Sequence, residues 1–166
     1  KDKGAAFHCV MPGPIGEPDY LVEIRNEIAR CGLEKHVTIP GEIPFSELLR
    51  LYVQAGVMVM TTLQETAPMV ISEAMATGTP VVAPHISGIP YMVSHGETGF
   101  LVDPRKPEDI AGCLAVALDD ARLRREMGNA SRRVADSRWR NDIIVRRLLD
   151  MYRDTEAQLR PINTSR

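Results

Sequence analysis

Cysteine is scarce in this sequence, and what there is does not pair. Cys9, Cys31 and Cys113 are odd in number and far apart. That excludes a disulfide framework and a zinc-type spacing, and it points to a reducing, cytoplasmic compartment. Aromatic residues make up only 5% of the chain. The arginine-rich C-terminal part has only Trp139 and Tyr152 among its cations, so the interleaved rings on which nucleic-acid bases stack are missing and no nucleic-acid partner is expected. No apolar run is long enough to span a bilayer, and no secretory leader is expected. Neither a Walker sequence nor G-x-G-x-x-G occurs, which argues against a P-loop ATPase or a dinucleotide reductase. Internal repeats and low-complexity segments are absent as well.

What remains is an ordinary globular composition over 166 residues, enough for one domain with a core. Residues 1–158 are expected to form that domain and residues 159–166 a frayed tail. The start at Lys1 rather than Met leads to the expectation of a fragment of a larger two-domain protein. The net charge of −2 is unevenly spread: residues 1–121 carry 8 basic and 16 acidic side chains, residues 122–166 carry 12 and 6. The basic end reads first as solvated helices of mixed charge. Its second reading is a peripheral contact with the acidic inner face of a membrane.

The most informative stretch is residues 57–83. An apolar, β-leaning run at 57–61 predicts a buried strand, and Gln64, Glu65, Thr66 and Ala67 a polar turn. Pro68 suits the first position of a helix, because its φ is already set and its missing N–H had no intrahelical acceptor. Good helix formers fill residues 69–76, Gly78 is the expected stop, and residues 79–83 form the next strand. This is a parallel strand–turn–helix–strand unit. Its helix begins at the C-terminal edge of a strand, where ligands of open α/β sheets bind, and the free N–H groups from Met69 onward favour an anion. Yet two acids, Glu65 and Glu73, flank that N-terminus. Carboxylates accept strong hydrogen bonds from vicinal diols. A ligand with a phosphate centre and hydroxyl-rich ends, a nucleotide sugar, fits both halves of the pattern.

Elsewhere the patterns predict strands over residues 5–11, 37–40 and 99–103, the first of them buried. Helices are predicted over 19–31, 45–54, 106–118 and 139–158, with a pair at 121–127 and 129–137 split at Gly128. Leu21, Ile24 and Ile28 form the apolar stripe of the first helix. His85 reads as a loop histidine without an Asp or Ser partner. The methionines between Met58 and Met75 read as core filler rather than a metal box.

Glu65-x7-Glu73, followed by Ala-Met-Ala-Thr-Gly-Thr-Pro-Val-Val-Ala, resembles the donor-site motif of retaining GT-B glycosyltransferases of family 4, the glycosyl transferases group 1. Three further segments fit the same family: residues 32–41, Gly88-Ile89-Pro90 with residues 96–102, and Leu123-Arg124-Arg125-Glu126-Met127-Gly128. The resemblance extends over nearly the whole chain, from about Phe7 to Tyr152. The resemblance implies an α/β, Rossmann-like open parallel sheet with helices on both faces, the C-terminal half of a GT-B fold without its first βα unit. It implies transfer of a sugar from a nucleotide-diphosphate donor such as a UDP- or GDP-sugar, with retention and with neither metal nor cofactor, and an N-terminal acceptor domain as partner. Glu65 would grip the donor sugar as the catalytic acid residue of the motif, and Glu73 would take the ribose hydroxyls. Backbone at Thr66, Ala67, Pro68, Met69 and Val70 would line the sugar and diphosphate. Gly13, in the Gly/Pro turn after the first strand, and Ile39, Pro40 and Gly41 would lie near the donor. Gly88 would present an N–H beside it.

Two departures stand out: Thr66-Ala67 replaces the usual Gly-Phe or Gly-Leu, and Tyr91 stands where an acid is common. Sugar selectivity is therefore not carried over. Lys3-Gly4 looks like the family's diphosphate-binding Lys-Gly, but no helix separates it from the next strand, so Lys3 is not given that role. Two rivals share the fold: a nucleotide-sugar epimerase half, and a degenerate, non-catalytic nucleotide-sugar-binding module.

Overall fold

The computed structural model describes residues 7–159. In chain order the elements are β1 (Cys9–Pro12), α1 (Pro18–Arg30), β2 (Val37–Gly41), α2 (Phe45–Gln54), β3 (Met58–Val59) and α3 (Met69–Thr77). Then come β4 (Val81–Pro84), a 3₁₀ turn at Ile89–Tyr91, β5 (Gly99–Val102), α4 (Pro107–Asp119), α5 (Ala121–Arg138) and α6 (Asn141–Leu159). Every strand pair is parallel. Helices connect most of the strands, as parallel pairing requires. The architecture is α/β and Rossmann-like.

The core gathers on β4. All four of its residues are buried. Successive strand side chains point to opposite faces, so a fully buried strand must be covered on both. Val81, Val82 and Ala83 are flanked by β3 and β5, in register Met58 to Val81 and Val81 to Gly99. Ile71, Ala74 and Met75 of α3 join the core with Tyr52 of α2 and Ala135 of α5. α3 ends as its sequence predicts. Gly78 adopts φ 82°, its N–H donates to Met75 O at 3.0 Å and the Thr79 N–H to Ala74 O at 2.9 Å. That is a Schellman stop, which a residue with a Cβ resists.

The expected single sheet is instead two, β2–β1 and β3–β4–β5. In the doubly wound order 3-2-1-4-5-6 the first strand lies between the second and the fourth. The observed pairings match the two flanks of that order, and no strand joins β1 to β3 among the described residues. This explains a second correction. The first strand, expected to be buried, has three exposed residues of four, with Val10 at 36% and Met11 at 41%. Leu21, Ile24 and Ile28 do face one side of α1, but they are only half-buried, because the β1–α1–β2 unit has little to pack on.

The third correction concerns Gly128. It does not split a helix: α5 runs unbroken through it. A Cβ on Gly128 would come within 2.2 Å of Gly78 O. The residue is there to let α5 cross the end of α3 backbone to backbone. The β3 strand is shorter than the predicted 57–61 run; of the tail predicted at 159–166, Leu159 is the last residue of α6 and residues 160–166 lie outside the described residues.

Candidate functional site

Of the sequence-predicted site residues, those on the turn before α3 come together at its N-terminus. Pro68 is buried and is the N-cap of α3 rather than its first helical residue, with φ −69° and ψ 125°. The extended ψ follows from its role of turning the chain into the helix axis. No side chain caps this end. The first helical bond is Ile71 N–H to Pro68 O at 3.2 Å, so the Met69 and Val70 N–H groups have no acceptor among the described residues. A helix N-terminus normally has its orphan donors satisfied by Ser, Thr, Asp or Asn. Here no such side chain is present, and Met69 is 72% exposed.

Both acids flank this end. Glu65 is half-buried, and its Oε2 accepts from the N–H of the next residue, Thr66, at 3.0 Å. Thr62 braces the preceding bend: its Oγ1 accepts from the Gln64 N–H at 3.3 Å and donates to Gln64 O at 2.9 Å. Glu73 lies one turn into α3, half-buried, and its Oε2 accepts from the Tyr52 hydroxyl at 3.4 Å. Among the described residues neither Glu65 nor Glu73 has an ion-pair partner. Two carboxylates held by neutral donors beside uncapped amides form a bipolar surface. The amides suit an anion, and the carboxylates suit hydroxyl groups.

Gly88 backs the turn from the neighbouring loop. A Cβ there would lie 2.1 Å from Thr66 O and 3.9 Å from the Ala67 Cβ. Gly88→Ala must therefore displace the Thr66 peptide, at an overpacking cost of about 1–3 kcal/mol. The expected outcome is a lowered thermal midpoint and at least a tenfold loss of ligand affinity at the α3 N-terminus, read by melting and by titration. An unchanged affinity would show that the turn need not hold this shape.

The remaining predicted residues cluster separately. Gly13 N–H donates to Gly41 O at 2.9 Å, at the C-terminal ends of β1 and β2. A Cβ at either glycine would meet nothing within 4 Å, so backbone there is open to approach. Ile39 is half-buried and Pro40 exposed in β2. His85 donates its backbone N–H to Val102 O at 2.8 Å, and its side chain has no hydrogen-bond partner among the described residues. No group of three or more His, Cys, Asp or Glu side chains able to hold a metal occurs among the described residues. No helix among them is long and apolar enough to cross a membrane. The Tyr52–Glu73 contact escaped the sequence reading. The two lie 21 residues apart, and no spacing rule joins them.

The family described as Glycosyl transferases group 1 matches residues 1–134. The D-inositol 3-phosphate glycosyltransferase of Corynebacterium glutamicum is 38% identical over 116 residues, 70% of this chain and 27% of that protein. The GDP-mannose-dependent alpha-(1-6)-phosphatidylinositol monomannoside mannosyltransferase of Mycobacterium tuberculosis is 34% identical over 161 residues, 93% of this chain and 40% of that protein. Among solved structures, Anabaena HepE in complex with UDP superposes with TM-score 0.83 at 26% identity, covering 89% of this chain and 41% of that one. The chain thus spans well under half the length of these relatives.

Proposed function

The chain belongs to the glycosyl transferases group 1 family, and on that premise we propose that it is the donor-binding part of a retaining glycosyltransferase. The whole protein would transfer a sugar from a nucleotide-diphosphate donor to an acceptor held by an N-terminal domain of the same enzyme. The observation that carries this reading is the uncapped N-terminus of α3 between two carboxylates without cation partners.

The Met69 and Val70 amides would take the diphosphate and stabilise the charge that grows on it as the glycosidic bond breaks. Such preorganised donors are where most of the rate enhancement resides. Glu65 would hold the sugar hydroxyls, and Glu73 the ribose. The leaving phosphate would accept the acceptor's proton on the same face, which yields retention without a metal. Gly13, Ile39, Pro40 and Gly41 would flank the nucleotide from the β1–β2 edge. The relatives' names support a nucleotide donor: one is GDP-mannose-dependent, and one solved neighbour binds UDP. The named acceptor of the mannosyltransferase is a phosphatidylinositol monomannoside. With the arginines of residues 122–166, this supports a cytoplasmic protein that works at a membrane surface.

The test is a thermal-shift panel of UDP, GDP and ADP with the full-length protein. At a hundred times its dissociation constant the correct nucleotide adds about 2.7 kcal/mol of stability. A midpoint that rises with none of the three contradicts the proposal.

A further inference from the structure

Tyr52 and Glu73 sit on adjacent packed helices, α2 and α3, and the Tyr52 hydroxyl donates to Glu73 Oε2 at 3.4 Å. Tyr52 is also held elsewhere. Its ring is buried in the core with Ile71, Ala74 and Met75. Its carbonyl accepts from the buried Thr79 hydroxyl at 2.6 Å, just beyond the C-terminus of α3. The residue is therefore tied at two places, by its main chain to Thr79 just past the end of α3 and by its hydroxyl to a carboxylate within α3. Phenylalanine would fill the same space without a polar atom to satisfy, whereas a buried tyrosine hydroxyl needs a partner. Burial and the nearby Glu73 charge push the Tyr52 hydroxyl up to about 12, so it stays a donor at neutral pH.

We infer that Tyr52 is a positioning residue for ribose recognition, its hydroxyl fixing Glu73 Oε2 so that the remaining carboxylate lone pairs accept from the vicinal ribose hydroxyls. A carboxylate accepts at about four sites, so one bond to Tyr52 leaves room for both hydroxyls. A fixed side chain loses less freedom when the ligand arrives. The inference rests on the ribose role given to Glu73 above.

The experiment uses the full-length protein and whichever of UDP, GDP and ADP it binds, with the 2′-deoxy analogue of that nucleotide. The readout is the ratio of the two dissociation constants, which does not depend on the fraction of folded protein. The wild type is expected to prefer the ribonucleotide by about tenfold or more, as a hydrogen bond to a charged group implies. Tyr52→Phe should shrink that preference to within about threefold, and Glu73→Gln should remove most of it. A Tyr52→Phe ratio equal to wild type, with Glu73→Gln reduced, overturns the role of Tyr52 alone. A Glu73→Gln ratio equal to wild type overturns the ribose reading of Glu73, and the role of Tyr52 with it.

Discussion

In the full-length protein, Glu65→Ala is expected to lower the proposed sugar-transfer turnover by about one to two orders of magnitude. A hydrogen bond from a hydroxyl to a charged carboxylate contributes about 1.5–3 kcal/mol. Each 1.36 kcal/mol of lost transition-state stabilisation is about tenfold in rate. The alanine variant loses two things together. It loses the charge that would hold the sugar, and it loses the acceptor that the Thr66 N–H has at 3.0 Å. Glu65→Gln separates them, because its amide oxygen can still accept from Thr66 while the charge is gone. The expected order of initial rates is wild type, then Gln, then Ala. A Gln variant as slow as Ala means that charge decides. A Gln variant as fast as wild type means that turn geometry does. Turnover unchanged in Glu65→Ala removes Glu65 from the donor site.

Gly128→Ala destabilises the fold, although helix propensity alone favours it. An interior helical glycine exchanged for alanine gains about 0.8–1.0 kcal/mol. Here the new methyl would stand 2.2 Å from Gly78 O and 3.2 Å from its carbonyl carbon, both backbone atoms. The helices cannot slide apart freely. On the next turn of α5, the buried Ser131 hydroxyl donates to Thr98 O at 2.7 Å and ties α5 to the segment before β5. Overpacking of this kind costs about 1–3 kcal/mol, and the larger Gly128→Val costs more. The net expectation for alanine is a loss of up to about 2 kcal/mol by urea titration, once the propensity gain is subtracted. For valine it is a loss of cooperative folding. Because α5 packs on α3, the valine variant should also lose any nucleotide affinity. A gain in stability for Gly128→Ala would show that the crossing is looser than its backbone geometry indicates.

Local chemistry explains what could be read in advance. The bounds of α2, the Gly78 stop and the strand–turn–helix–strand order around α3 follow from propensity, proline and glycine within a few residues of each other. So does the gathering of Glu65, Thr66, Ala67, Met69 and Val70 at one helix end. The features missed are all tertiary. Cys9–Pro12 is apolar enough to read as buried, yet burial depends on a neighbouring strand. Gly128 looks like a helix breaker until Gly78 is seen against it. Tyr52 looks like a core residue until its hydroxyl is placed against Glu73. The two-sheet arrangement belongs with these, since strand order is set by pairing across the chain rather than along it.

The most direct measurement is a crystal structure of the full-length protein with bound UDP or GDP. The account predicts diphosphate oxygens within hydrogen-bond distance of the Met69 and Val70 amides, with the ribose hydroxyls on Glu73. A nucleotide whose phosphates lie away from the N-terminus of α3 would contradict it.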